Sequence, residues 1–135
     1  MKYLLDTNII SELRKVRPNQ QVVDWLKNTE QQHLYLSCIT IGEIKTGILK
    51  KQLQDKVVSA SLLKWLNIII DDYAEHILNI DLDVCEQWAE LLIKDSTNAV
   101  DALLAAQAIN MNMVLVTRNI KHFVKFNVKL LNPFE

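Results

Sequence analysis

Short apolar runs and helically spaced apolar stripes alternate along this chain. Tyr3-Leu4-Leu5 is halted by Asp6-Thr7-Asn8, after which Ile9, Ile10 and Leu13 recur at helical spacing, with Lys15 and Arg17 beyond them. This predicts a strand followed by a helix. Val22, Val23, Trp25 and Leu26 mark a second short helix, and the aromatic and aliphatic segment from Leu34 to Ser37 predicts a second strand. Thr40 stands where it would cap the next helix, whose stripe is Ile41, Ile44 and Ile48. A polar stretch from Lys50 to Lys56 then leads to a longer amphipathic helix carrying Leu62, Leu63, Trp65, Leu66 and Ile69. These two helices are expected to pack as a hairpin.

The alternation continues to the C-terminus. Ile77 to Ile80 predicts a third strand, and Val84, Trp88, Leu91 and Leu92 a helix ending near Lys94 and Asp95. Asn98 stands as the cap of a helix from Val100 to Met111, apolar almost all round, with Leu103, Leu104 and four alanines, which predicts burial at the centre of the domain. Met113 to Thr117 and Val128 to Leu131 predict the last two strands. Short apolar strands alternating with helices imply an α/β fold with a mostly parallel sheet and helices on both faces. In such folds ligands sit beyond the carboxyl ends of the strands, at the switch point of the sheet. Asp6 and the segment Thr117-Arg118-Asn119 both fall at predicted strand carboxyl ends.

Composition narrows the class. The chain has 135 residues, within the range of one domain with its own core, and the expectation is a single domain over residues 1–135. Hydrophobic residues at 50% and charged residues at 23% exclude a disordered chain, and only two glycines and two prolines predict helices joined by short loops. A net charge of −1 gives no global field to attract nucleic acid, so any such binding must come from local charge. Cys38 and Cys85, the only cysteines, lie in apolar periodic segments and read as small core residues of a reduced compartment. The apolar stretch after Lys2 is too short for a signal core or a membrane span, so a cytoplasmic protein without a membrane partner is expected.

Three acids then draw attention. Asp101 sits among Val100, Ala102, Leu103, Leu104, Ala105 and Ala106, and a carboxylate buried there would need hydrogen bonds, a cation or a metal ion to stay charged. Its other reading is as an acid in the first helical turn, three residues after Asn98, where negative charge is favoured. Asp6, between strand and helix, reads by itself as an N-cap. Asn8 and Ser11 are ordinary polar residues of a first turn, though such groups also orient carboxylates. Glu43 projects away from Ile41, Ile44 and Ile48 and reads as a solvated glutamate, with small neighbours Thr40 and Gly47 that leave room for another group. Three acids on separate elements suit a hard cation such as Mg²⁺ or Mn²⁺. His33, His76 and His122 have no zinc-ligand spacing and read as surface or locally bonded residues. No nucleophile elbow is present.

The motifs together resemble one family. The opening Tyr3-Leu4-Leu5-Asp6-Thr7-Asn8-Ile9-Ile10-Ser11-Glu12-Leu13-Arg14, the segment from Ser37 to Ile44 that contains Glu43, and Val100-Asp101-Ala102-Leu103-Leu104-Ala105-Ala106 resemble the first three motifs of PIN-domain proteins, especially their VapC/FitB-like branch. Val116-Thr117-Arg118-Asn119 with Phe123 is similar to the fourth motif, and Asn132-Pro133-Phe134 to a common ending. The order spans essentially the whole chain, which is more specific than any single motif.

The resemblance implies a PIN-type sheet of strand order 3-2-1-4-5. It also implies a ribonuclease, the toxin of a type II toxin–antitoxin pair, in which Asp6, Glu43 and Asp101 are metal-binding acids for Mg²⁺ or Mn²⁺. Asn119 replaces an aspartate found in many PIN domains, which removes one acid from the set available to a second ion; its amide is expected to act indirectly, with Asn8 and Thr117 as supporting groups. The implied reaction is hydrolysis of an RNA phosphodiester to a 5′-phosphate and a 3′-hydroxyl. Arg14, Lys15 and Arg118 border the motifs and are candidates for positioning phosphates, or else solvated basic residues. An aspartate-nucleophile phosphohydrolase would want an acid at position 8, where the chain has Asn8. A catalytically lapsed PIN-fold binding module is the other alternative, conceivable from Asn119. Expected partners are an RNA substrate, a small cognate antitoxin and a second copy of the chain, the last because Trp25, Trp65 and Trp88 add apolar surface.

Overall fold

The structure is a computed structural model and describes residues 1–135. Five strands, β1 (Tyr3–Leu5), β2 (Leu34–Ser37), β3 (Ile77–Leu78), β4 (Val114–Val116) and β5 (Leu130–Leu131), form one parallel sheet in the order β3-β2-β1-β4-β5. Six helices connect them: α1 (Thr7–Leu13), α2 (Gln20–Lys27), α3 (Cys38–Gln52), α4 (Lys56–Asp72), α5 (Leu82–Lys94) and α6 (Ala99–Asn110). This is the expected strand order, with helices on both faces. The order reverses at β1, which is flanked by β2 and β4, so the switch point lies between the carboxyl ends of β1 and β4.

Strand alternation assigns the two cores. In β1, Leu4 and Leu5 are both fully buried but point to opposite faces. Leu4 joins a cluster with Val84 and Leu91 of α5, Leu104 and the alanines of α6, Phe123 and Phe126. Leu5 joins Ile9, Ile10, Ile44, Ile48, Leu66 and Ile69 from α1, α3 and α4. Leu115 and Val116 of β4 divide in the same way. The four alanines let α6 approach the sheet closely, and all four are buried. α3 and α4 pack against each other as the expected hairpin.

Several local expectations are corrected. α3 is capped by Ser37, whose Oγ accepts from the Ile39 amide at 3.0 Å, and not by Thr40, which lies buried inside the first turn. Because the strand ends at Ser37, the helix can begin at once. Asn98 holds the cap position of α6 only through its backbone carbonyl, which accepts from Ala102; its side chain makes no capping bond. Strands β3, β4 and β5 are shorter than their apolar runs. The Met113 amide closes the end of α6 on the Ala108 carbonyl instead of joining the ladder, and left-handed Asn127 reverses the chain just before β5. α6 is not buried all round, since Val100 is exposed, and Cys85 is an exposed residue of α5, not a core one.

Candidate active site

Asp6 leaves the end of β1 with its amide donating to the Val116 carbonyl at 2.9 Å, which continues the ladder for one more step. The next residue starts α1, so Asp6 is an N-cap, with Oδ1 accepting from the Thr7 amide at 2.7 Å. Its Oδ2 accepts from the Thr117 hydroxyl at 2.8 Å and from the Asn8 side-chain amide at 3.2 Å. Thr117 is fully buried at the end of β4, and its Oγ1 also accepts from the Asn119 amide at 3.0 Å. Asn8 Oδ1 accepts from the Arg118 amide at 3.1 Å, so Asn8 ties the first turn of α1 to the segment after β4. The expected supporting pair, Asn8 and Thr117, thus grips the buried carboxylate across the switch point. Helix capping and a contact across the switch point coexist in Asp6.

The other two acids stand at the rim. Asp101 lies in the first turn of α6, its side chain 24% exposed, so the expectation of a fully buried carboxylate is corrected. Its Oδ2 is 3.3 Å from Nδ1 of His122. Glu43 is exposed on α3, as its position opposite the apolar stripe predicts, and its Oε1 accepts from the Thr7 hydroxyl at 2.7 Å.

Electrostatics connect the three. Burial pushes the Asp6 carboxyl above its usual range; the bonds from Thr117 and Thr7 oppose that rise, and the charge of Asp101 adds to it. Partial burial also raises Asp101; His122 opposes this and the charge of Glu43 adds to it. Asp6, Asp101 and Glu43 therefore form a chain of mutually repelling acids on three elements, with oxygen donors only. That donor set suits a hard cation, which usually keeps several waters and takes few carboxylates. As the side chains stand, no three His, Cys, Asp or Glu residues converge closely enough to enclose an ion. Asp6 and Asp101 fit a cation that keeps waters, and Glu43 is tethered beside them by Thr7.

The remaining candidates divide. Asn119 is exposed and reaches the site only through its backbone amide. The Arg118 guanidinium lies 4.6 Å from the centre of the Phe134 ring, which orients it. Lys15 pairs with Glu12 at 2.8 Å. Glu12 is buried, accepts from the Asn19 amide at 2.8 Å, and is held below the usual carboxylate range by Lys15 and then by that amide. A groove of about 560 Å³ lies among α1, α3 and α4, with Ile44, Ile48 and Leu62 as apolar lining and Arg14, Lys15 and Lys51 as basic groups. Ser11, Thr7 and Glu43 are also in its wall, so it adjoins one of the three acids, Glu43. Thr7 and His122 were not singled out as site residues from sequence; each contacts an acid remote in the chain, and no local spacing signals it.

Comparison with known proteins agrees with this fold. The PIN domain family model matches residues 3–128. Plasmid stability protein StbB of Pseudomonas syringae pv. tomato is 32% identical over 98% of both chains. A VapC ribonuclease of Sinorhizobium fredii is 28% identical over 98% of this chain and 97% of its own. Among solved structures, FitAcB from Neisseria gonorrhoeae superposes with a TM-score of 0.89 at 31% identity, covering 98% of this chain and 99% of that one. A toxin–antitoxin complex from Klebsiella pneumoniae gives 0.71 at 27% identity over 99% of both chains. Since the matched segment contains both strands of the switch point and the helices carrying Glu43 and Asp101, this chain belongs to the PIN domain family.

Proposed function

We propose that the chain is a single PIN domain acting as a divalent-cation-dependent ribonuclease, the toxin of a toxin–antitoxin pair. The observation that carries this reading is the buried Asp6, gripped by Thr7, Asn8 and Thr117 at the sheet's switch point and repelled by Asp101. A fold keeps a carboxylate in such surroundings at the expense of stability, and a cation relieves that cost. Its kinship with a VapC ribonuclease supports RNA as the substrate.

Asp6 and Asp101 would hold Mg²⁺ or Mn²⁺, with Glu43 completing the set and Asn119 contributing at most indirectly. When bound, the ion supplies charge stabilisation of the phosphoryl oxygens and activation of water at neutral pH. The chain's own residues fix the geometry. Thr117 and Asn8 hold the Asp6 carboxylate in one orientation; as water attacks phosphorus and the bond to the 3′-oxygen breaks, Asp101 or Glu43 would accept the water's proton and the departing 3′-oxygen would take one from solvent. Arg14, Lys15 and Arg118 position phosphates of the RNA strand. The test is cleavage of single-stranded RNA by purified protein with Mn²⁺ or Mg²⁺, compared with the same protein in chelator. Full cleavage in chelator would overturn the proposal.

The antitoxin is proposed to lay a helical or extended segment over the acids, with a basic side chain standing where the cation would. A toxin–antitoxin complex among the structural neighbours supports a partner of this type. Co-purification with the product of the adjacent gene should lower both Mn²⁺ affinity and cleavage; a stable complex that alters neither sinks this part.

A homodimer completes the proposal, now on different grounds. The three tryptophans are each half-buried against their own core, with Trp88 Nε1 donating to the Ala99 carbonyl at 2.9 Å. Exposed Leu53 and Val57 on the α3–α4 hairpin and exposed Leu82 and Ile93 on α5 supply the apolar surface instead. Sedimentation at micromolar concentration is expected to give a dimer, and a monomer there would remove this element. No helix of the protein is long and apolar enough to cross a membrane.

A further inference from the structure

We infer that Thr7 is a positioning residue for Glu43, its hydroxyl fixing the α3 carboxylate relative to Asp6 and Asp101. The inference rests on the reading above, in which Glu43 helps to hold a divalent cation. Thr7 touches two of the three acids at once: its amide donates to Asp6 Oδ1 and its hydroxyl to Glu43 Oε1, each at 2.7 Å. The second bond spans 36 positions of sequence and joins α1 to α3.

Without that bond Glu43 would be a free side chain. It stands on the exposed side of α3, and the hydroxyl of Thr7 is the only side-chain hydrogen-bond partner it has. Neighbouring Gly42 and Gly47 leave open space, since a Cβ built on either meets nothing within 4 Å. Thr7, by contrast, is firmly aimed. It is the first residue of α1, it is partly buried, and its β-branched side chain is stiff about χ1. A stiff donor on a capped helix end therefore orients a flexible acceptor on another helix. An ionised carboxylate only accepts, so the hydroxyl's proton is committed to Glu43.

A purely structural tie between α1 and α3 is the competing account. Those helices already share Ile9, Ile10, Ile44 and Ile48 in one buried cluster, and a solvent-exposed hydrogen bond adds little to that. The two accounts separate in Thr7→Val, which keeps the shape and the backbone amide but removes the hydroxyl, and in Thr7→Ser, which restores it.

The experiment measures Mn²⁺ binding to metal-free protein by calorimetry, thermal melting of the metal-free protein, and kcat and KM on single-stranded RNA. The variants are Thr7→Val, Thr7→Ser, Glu43→Gln and the Thr7→Val/Glu43→Gln double. Loss of a group that orients a ligand typically weakens metal affinity or activity about 10-fold to 100-fold. Thr7→Val is expected to weaken Mn²⁺ binding and kcat by about 10-fold, leaving KM and the metal-free melting temperature unchanged. Thr7→Ser should recover most of this loss, and the double variant should be no worse than Glu43→Gln alone. If Glu43→Gln weakens Mn²⁺ binding while Thr7→Val binds like the wild type, the inference is overturned and the cation reading stands. If Glu43→Gln itself binds Mn²⁺ normally, the role given to Glu43 fails and takes the inference with it. A Thr7→Val defect that Thr7→Ser shares, or one matched by a lower metal-free melting temperature, overturns it in favour of the structural tie.

Discussion

The acids of the site occupy two unlike settings. Asp6 is buried where β1 meets β4, and its oxygens receive donors from Thr7, Asn8 and Thr117. Asp101 and Glu43 stand on helices at the rim, each in contact with one side chain, His122 and Thr7 respectively. The sheet thus supplies one carboxylate whose place is over-determined, and the helices supply two that are adjustable within a single side-chain contact each. A hard cation demanding near-ideal geometry needs one fixed ligand as a reference, while access for a polymeric substrate needs an open rim. The contrast teaches that preorganisation is densest at the switch point.

The contrast is broken or sharpened most directly at Asp6. Asp6→Asn is expected to reduce RNA cleavage by at least about 100-fold, since even residues that merely orient metal ligands are worth 10–100-fold. It should also raise the stability of the metal-free protein at neutral pH. The folded-state pKa of Asp6 is raised, so the native state binds this proton more tightly than the unfolded chain. Stability of the wild type is therefore lost as pH rises from the ordinary carboxylate pKa through the raised one, and the variant lacks that loss. Denaturant titrations at acid and neutral pH check this; equal pH dependence in both proteins contradicts it.

Asp101→Asn should lose cleavage to a similar extent, about 100-fold, but gain less metal-free stability than Asp6→Asn. Asp101 is less buried, and water already screens part of its charge. A larger gain at Asp101 than at Asp6 would reverse the assignment of fixed and adjustable acids.

Thr117→Val tests the fixed setting through its support. It leaves Asp6 Oδ2 without its 2.8 Å donor and the Asn119 amide without its acceptor. The expected loss is about 1–3 kcal/mol of stability together with about 10-fold to 100-fold in cleavage. His122→Ala is the corresponding change at the rim, and it should lower cleavage by less than about 10-fold. His122 is half-exposed and its approach to Asp101 is long, at 3.3 Å. Steady-state kinetics on the pair would refute the contrast if His122→Ala were the more damaging.

Much of this was legible in the chain because local rules wrote it. The strand-to-helix switch at Asp6, the apolar stripe that leaves Glu43 outside, and the alanine face of α6 follow from periodicity and capping, and strand alternation with helices implied a parallel sheet. Strand order and the grouping of Asp6, Glu43 and Asp101 came from the resemblance of whole motifs, and the structure agrees on the strand order. The misplacements were of boundaries and burial. Thr40 and Ser37 are both acceptable caps in sequence, and only the end of β2 selects Ser37. Asp101 looked buried because its neighbours in the chain are apolar, yet burial depends on what packs over a helix's first turn, and there α6 opens to solvent.

What the sequence by itself determined, then, is the set of elements and the residue types at their ends. Hydrogen-bonding and hydrophobic periodicity act over a few residues, and they are encoded within that distance. Only the tertiary structure decided which end meets which: Thr117 across β1 and β4 to Asp6, Asn8 to Arg118, Thr7 to Glu43 and His122 to Asp101. Those contacts depend on how helices and strands are positioned relative to one another, and that positioning is fixed by the packing of the two cores on either side of the sheet, with no counterpart in local spacing.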